Sequence, residues 1–236
     1  MVGLIGGVGS GKSSVAQRWQ AIRPVAVIDA DQLGHQVLHL PNVQERILKR
    51  FGPTVFENQF QPTIGREGEA PAEPSLREPH GSAGASPSQQ PTTSQISRAA
   101  LGRIVFGSDV AAQNARRDLE SIVHPEIRSL IERQISELRR QANVEAIVLD
   151  AAVLLEAGWN DLCDVVVFID TPQADRIARV QAGRGWSAAE LAKREASQWP
   201  LPRKRAAADA VLDNSNSVDD AARQLEEVIA QRKSPI

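Results

Sequence analysis

Short apolar segments alternate with helical patterns along most of the chain. Five almost wholly apolar runs predict buried strands, and they lie at residues 2–5, 25–28, 146–149, 165–169 and 210–212. Apolar residues spaced three and four apart between these runs predict helices. Buried strands that alternate with helices are typical of a parallel sheet covered on both faces. The pattern therefore predicts an α/β fold around a parallel five-stranded sheet.

The predicted order of elements also indicates where function should lie. In such sheets, functional groups cluster beyond the carboxyl ends of the strands. This rule selects the segments at residues 6–13 and 29–31, together with Asp150 and Asp170. The predicted helices lie at residues 12–19, 42–51, 97–106, 119–138, 172–181, 188–197 and 218–231.

Residues 62–95 interrupt this alternation. The segment holds six of the fourteen prolines and four of the sixteen glycines, and its only large aliphatic residues are Ile64 and Leu76. Such a composition buries too little apolar surface to offset the entropy of ordering. We interpret the segment as a disordered insertion with no catalytic role.

Composition and charge exclude several classes of protein. The 27 basic and 29 acidic residues nearly balance, and aromatic residues make up 4% of the chain, so neither charge nor base stacking favours nucleic acid. The one cysteine, Cys163, excludes an intramolecular disulfide. No apolar run approaches the length of a membrane span. We expect a soluble cytoplasmic protein without a membrane or nucleic-acid partner; oligomeric state is left open.

The segment Gly6–Ser13 matches the phosphate-loop pattern G-x-x-x-x-G-K-[ST]. Its glycines let the backbone amides converge on an anion, and the helix that follows adds its positive end. Lys12 can reach the β- and γ-phosphates of ATP, and the Ser13 hydroxyl can bind Mg²⁺. The predicted nucleotide-binding residues of this segment are Gly7, Gly9, Ser10, Gly11, Lys12, Ser13 and Ser14.

The phosphate loop leaves the reaction open. A GTPase would need an N/T-K-x-D segment, and the sequence contains none. Motor and transporter ATPases usually carry further modules, whereas a small-molecule kinase fits a compact chain. A nucleotide-binding regulator without catalytic activity remains an alternative.

Acidic residues follow two of the predicted strands. Asp29 and Asp31 lie two positions apart, so in an extended segment both side chains would point to one side. A carboxylate there can accept the proton of an acceptor hydroxyl. Asp29 could instead cap the following helix. Asp150, after the third strand, could hold Mg²⁺ through water or lie in an ordinary turn.

An ordered series of motifs resembles the dephospho-CoA kinase family. GGVGSGKS is followed by VIDAD, and later motifs resemble the family at residues 97–106, 122–125, 154–156 and 198–215. The resemblance implies transfer of the ATP γ-phosphoryl group to the ribose 3′-hydroxyl of dephospho-CoA, the last step of coenzyme A synthesis. Another small-molecule or nucleoside monophosphate kinase is the alternative.

The resemblance also implies an organisation in three parts. A P-loop kinase core would comprise residues 1–32 and 144–236, with a lid near residues 176–200. A helical CoA-binding domain would comprise about residues 33–143 and contain the insertion.

Several site residues follow from the resemblance alone. Asp31 matches the general base, and Arg179 and Arg184 would be lid arginines that act on the phosphates. Gly183 stands where family members often have arginine, so Arg184 could have taken over that role. The alternative is that these are ordinary solvated arginines.

The remaining implied residues concern adenine and the acceptor. Asn214 could read adenine through its amide, or belong to an ordinary turn. Asp29, Arg98 and His124 are the other candidates for contact with dephospho-CoA. For His124 the alternative is a position at the start of a helix before Pro125.

Overall fold

The computed structural model describes residues 1–57, 95–107 and 109–233. Within these ranges the strands form one parallel sheet in the order β2-β3-β1-β4-β5. The predicted α/β class and five-stranded sheet are confirmed. The strands are β1 (Val2–Gly6), β2 (Val25–Asp29), β3 (Ala146–Asp150), β4 (Val165–Asp170) and β5 (Ala210–Asp213).

Helices connect the strands and cover both faces of the sheet. No helix among the described residues is long and apolar enough to cross a membrane. Short 3₁₀ helices lie at Pro53–Val55 and Trp159–Leu162. The α-helices are α1 (Lys12–Ile22), α2 (Ala30–Val37), α3 (Pro41–Phe51), α4 (Arg98–Val105), α5 (Val110–Leu138), α6 (Gln173–Arg184), α7 (Ala188–Glu195), α8 (Leu201–Ala206) and α9 (Val218–Lys233).

One face of the sheet is closed by α1 and α9. Trp19 of α1 and Leu225 of α9 are buried among strand residues such as Leu4 and Val167. Burial of apolar area at about 25 cal/mol per Å² makes this layer a main contribution to stability. The layer fixes α1, and therefore the start of α1 at Lys12, against the end of β1.

The chain divides into two compact units. The first comprises residues 1–40 and 120–236 and contains the whole sheet, and the second comprises residues 41–119. The boundary at residue 120 falls inside α5. The helical domain that we predicted, at about residues 33–143, extends further in both directions than the second unit.

The backbone segments that flank the predicted insertion pair with each other. Residues 62–94 lie outside the described residues. At the two flanks, Phe56 and Ile96 form an antiparallel bridge, and the Glu57 amide donates to the Gln95 carbonyl at 2.7 Å. The flanking segments therefore pair with each other whatever connects them.

Candidate active site

The phosphate loop joins β1 to α1 at the central strand of the sheet. Gly11 caps α1 with a φ of 84°, in the left-handed region that favours glycine. A Cβ atom at Gly11 would lie 2.7 Å from Nδ2 of Asn214. Conformation and space therefore both require glycine, as the sequence motif predicts, and Lys12 becomes the first residue of the helix.

Three side chains hold the carbonyl oxygen of Ser10, a fully buried residue of the loop. It accepts hydrogen bonds from Thr171 Oγ1 at 2.9 Å, from Asn214 Nδ2 at 2.7 Å and from an Arg179 guanidinium nitrogen at 3.3 Å. Arg179 also donates to the Asn214 carbonyl at 2.9 Å. Arg179 is thus anchored to the loop, so the alternative that it is an ordinary solvated arginine is wrong for this residue. Adenine recognition by Asn214 stays a prediction, since its amide nitrogen serves the loop.

Lys12 lies at the centre of the charged groups of the site. Its Nζ donates to the Gly7 carbonyl at 3.3 Å, across the loop. Burial lowers the pKa of the Lys12 ammonium. Nearby carboxylates raise this pKa, and nearby cations lower it further. The carboxylates are those of Asp150 and Asp31, and the cations are those of Lys204 and Arg184. The loop lysine is therefore close to both predicted carboxylates.

The two strand-end carboxylates lie side by side. Asp29 ends β2 and Asp150 ends β3, and they are partners in the register of these strands. Asp29 Oδ1 accepts the Gln32 amide at 2.9 Å, so Asp29 caps α2. Asp31 is the second residue of that helix. The interpretation of Asp29 as the cap of the following helix is confirmed, and the alternative of an extended segment that carries both carboxylates is wrong, because the chain becomes helical after Asp29.

Asp31 is exposed at this edge of the sheet, where a substrate can reach it. Desolvation by the surrounding protein raises the pKa of its carboxyl group, and the charges of Asp150 and Asp29 raise it further, while Lys12 opposes them. A raised pKa increases the proton affinity of the carboxylate. Asp31 is therefore accessible to a substrate, and the direction of its pKa shift favours proton acceptance.

Asp150 is buried and hydrogen-bonded to the Ser13 side chain. Burial raises the pKa of Asp150, and the Ser13 hydrogen bond and the Lys12 charge oppose this. The described residues contain no group of three or more His, Cys, Asp or Glu side chains able to hold a metal ion. Mg²⁺ in phosphoryl-transfer sites needs only one or two protein oxygens besides phosphates and waters. The oxygens of Ser13 and Asp150 fit that requirement.

Arg184 ends α6 and contacts an aromatic side chain. Its guanidinium lies 4.8 Å from the ring centre of Trp186, and that of Arg194 lies 3.9 Å from it. The charge of Arg184 lowers the pKa of Lys12. Of the two predicted lid arginines, Arg179 holds the loop backbone, and Arg184 is exposed, so its action on the phosphates stays a prediction.

His124 lies in the middle of α5, which runs from Val110 to Leu138 with Pro125 inside it. The alternative that His124 begins a helix is therefore wrong. Its ring contacts Trp159 edge-on, with 5.5 Å between ring centres, and both line a cavity of about 330 Å³. Burial lowers the pKa of His124, and the charge of Glu156 opposes this.

Two further predicted residues lie in separate places. Ser14 is exposed in the first turn of α1, next to the loop. Arg98 is the first residue of α4, in the unit of residues 41–119.

Sequence reasoning missed two buried ion pairs near the loop. Lys204 has its Nζ 3.0 Å from Glu156 Oε1, and Arg176 pairs with Glu195. The side chains of both basic residues are at most 5% exposed. Lys204 and Glu156 lie in segments that resemble the family, but a basic residue on an amphipathic helix ordinarily indicates a solvated face, so neither ion pair was predicted.

The family model for dephospho-CoA kinase matches residues 1–67 and 87–220. The chain belongs to the dephospho-CoA kinase family. The internal gap in the match, residues 68–86, falls inside the predicted insertion at residues 62–95. The match thus covers the five strands and the phosphate loop, and it ends at residue 220, within the first turn of α9.

Curated relatives of the dephospho-CoA kinase family match nearly the whole chain. The dephospho-CoA kinase of Geobacter sulfurreducens is 33% identical over 233 residues, which cover 98% of each chain. That of Symbiobacterium thermophilum is 35% identical over 228 residues, which cover 96% of this chain and 78% of the relative.

Solved structures agree in fold. The crystal structure of TT1252 from Thermus thermophilus has a TM-score of 0.68 and 28% identity, covering 99% of this chain and 97% of that one. The dephospho-CoA kinase from Campylobacter jejuni has a TM-score of 0.59 at 21% identity, covering 98% and 96%.

Proposed function

We propose that this protein is an ATP-dependent kinase that phosphorylates the ribose 3′-hydroxyl of dephospho-CoA and yields CoA and ADP. One observation carries the proposal: Lys12 of the phosphate loop lies among the carboxylates of Asp31 and Asp150, in a chain of this family. Phosphate-binding groups and a proton acceptor beside one another are what hydroxyl phosphorylation needs.

The reaction depends on positioning and charge. The loop amides and Lys12 hold the triphosphate, and Asp31 accepts the proton of the attacking hydroxyl. Because little covalent work falls to the protein in phosphoryl transfer, these two tasks account for most of the catalysis. The raised pKa of Asp31 favours its role as acceptor.

Ser13 and Asp150 are the groups that would hold Mg²⁺. Their oxygens are hydrogen-bonded to each other, so both face the same position beside Lys12. When bound, Mg²⁺ neutralises phosphate charge. Asp150 in turn needs a cation nearby, because burial alone disfavours its charged form.

The remaining groups are proposed to recognise substrates. His124 contributes to an acceptor subsite at the cavity of about 330 Å³ that it lines with Trp159. Asp29 and Arg98 are proposed to contact dephospho-CoA, and Asn214 adenine.

The substrate is tested by measuring ADP release with a panel of acceptors. Turnover is expected with dephospho-CoA and Mg²⁺, and none with AMP or other nucleoside monophosphates. Turnover with a nucleoside monophosphate and none with dephospho-CoA would replace the proposal with the alternative kinase. ATP binding without turnover of any acceptor would favour a regulator.

Arg184→Ala is expected to lower kcat about a hundredfold, because it removes a positive charge that we propose stabilises the transferring phosphoryl group. Arg194→Ala is the matched control, since Arg194 contacts the same Trp186 ring but also forms an exposed ion pair with Glu190. The control should change kcat less than about twofold. Steady-state kinetics checks both, and equal losses would show that the stacking, not the charge, matters.

A further inference from the structure

A buried ion pair joins two helices to the phosphate loop. Arg176 lies in α6 and Glu195 ends α7, with side chains 5% and 21% exposed. The guanidinium donates to the carboxylate. Neither residue belongs to the phosphate-loop motif or to the groups proposed above to contact substrates.

Both members of the pair also bond to the loop backbone at Val8. Glu195 Oε1 accepts the Val8 amide at 3.3 Å, and the Arg176 guanidinium donates to the Val8 carbonyl at 3.5 Å. The donor and the acceptor of one loop residue are thus held by two oppositely charged side chains. This arrangement restrains Val8 on both sides of its Cα atom.

The pair packs tightly against the loop. A Cβ atom at Gly7 would lie 2.7 Å from the Arg176 guanidinium and 3.0 Å from Glu195 Oε1. Arg176 Nε also donates to the Thr171 carbonyl at 3.2 Å, and the Thr171 hydroxyl donates to Ser10. The contacts therefore reach both halves of the loop.

The opposite charges are needed together. A guanidinium this deeply buried requires a compensating anion, and a lone carboxylate beside the loop would repel a triphosphate. The pair satisfies both requirements and presents no net charge to the nucleotide. Its contribution to ATP binding therefore comes from the shape it gives the loop.

We propose that Arg176 and Glu195 are positioning residues that fix the backbone of Val8, so that the loop amides are preorganised for ATP phosphates. The proposal rests on the proposed function for its nucleotide. It predicts an effect on ATP and none on the acceptor, because the pair contacts the phosphate loop.

Glu195→Ala tests this by the sign of its effect. Loss of a negative charge beside a polyanion site would by electrostatics alone tighten ATP binding. Loss of positioning weakens it, and we expect the KM for ATP and its Kd to rise about tenfold, with the KM for dephospho-CoA within about twofold. Unchanged or tighter ATP binding would overturn the proposal.

Two further variants sharpen the test. Glu195→Gln keeps an acceptor for the Val8 amide, so its Kd for ATP should rise less, about threefold. An unchanged Kd in this variant would also refute the proposal, even if the alanine variant failed to fold. Glu190→Ala is the matched control, because Glu190 lies in the same helix and pairs with Arg194 at the surface. It should leave both KM values unchanged.

Direct titration with ATP separates this inference from the proposed function. Calorimetry without acceptor measures the Kd for ATP whether or not dephospho-CoA is the substrate. If the wild-type protein binds ATP but does not phosphorylate dephospho-CoA, the proposed function fails and the effect of Glu195→Ala still decides the inference.

Discussion

Asp31→Asn is expected to lower kcat about a thousandfold while the Kd for ATP stays within about threefold. The amide keeps the shape of the side chain but cannot accept a proton from the attacking hydroxyl. ATP binding is preserved because the loop amides and Lys12 are untouched. Single-turnover kinetics and calorimetric titration with ATP measure the two quantities separately.

The neighbouring carboxylate provides the comparison for Asp31. Asp29→Asn should cost less than about tenfold in kcat, because Asp29 already binds the Gln32 amide and asparagine is an equally good helix cap. A kcat for Asp31→Asn within tenfold of the wild type would remove Asp31 from the mechanism. Equal losses at both positions would indicate that the local charge matters, not proton acceptance.

Lys204→Met is expected to lower the free energy of unfolding by about 3–5 kcal/mol. The Lys204 side chain is 1% exposed, and its ammonium donates to Gln198 Oε1 at 2.9 Å and the Ala152 carbonyl at 3.1 Å, besides pairing with Glu156. Without it, the Glu156 carboxylate would remain largely buried and uncompensated. Its Oε2 is already buried without a hydrogen-bond partner. Urea unfolding measures the loss.

A double variant shows whether the penalty comes from the unpaired charge. Lys204→Met combined with Glu156→Leu removes both charges, so the double variant should be more stable than Lys204→Met alone. Glu156 also accepts the Trp199 amide at 2.7 Å, so some loss will remain. A double variant no more stable than the single one would show that packing and neutral hydrogen bonds dominate at this site.

Local patterns were sufficient for the strands and the phosphate loop. Each predicted strand is present, because short apolar runs rich in β-branched residues suit strands that are buried on both faces of a sheet. The alternation of strands and helices places the groups that follow each strand at the carboxyl edge of the sheet. The phosphate loop, Asp29 and Asp150 lie there. Helix bounds were less accurate: α5 begins at Val110, although the pattern placed its start at residue 119.

Contacts between distant residues could not be read from local patterns. Arg176 and Glu195 lie 19 positions apart, and they meet only because α6 and α7 both lie against the phosphate loop. Asn214 and Ser10 are 204 positions apart. Arginine, glutamate and asparagine are ordinarily surface residues, and their burial here depends on the assembled fold.

The sequence by itself determined the α/β class, the phosphate loop and the resemblance to a kinase family, because each depends on residues near one another in the chain. Only the tertiary structure decided the strand order, the burial of Lys204 and Arg176, and the pairing of Arg176 with Glu195 at the loop. These depend on which distant surfaces exclude water together, and the chain order of the residues does not specify that.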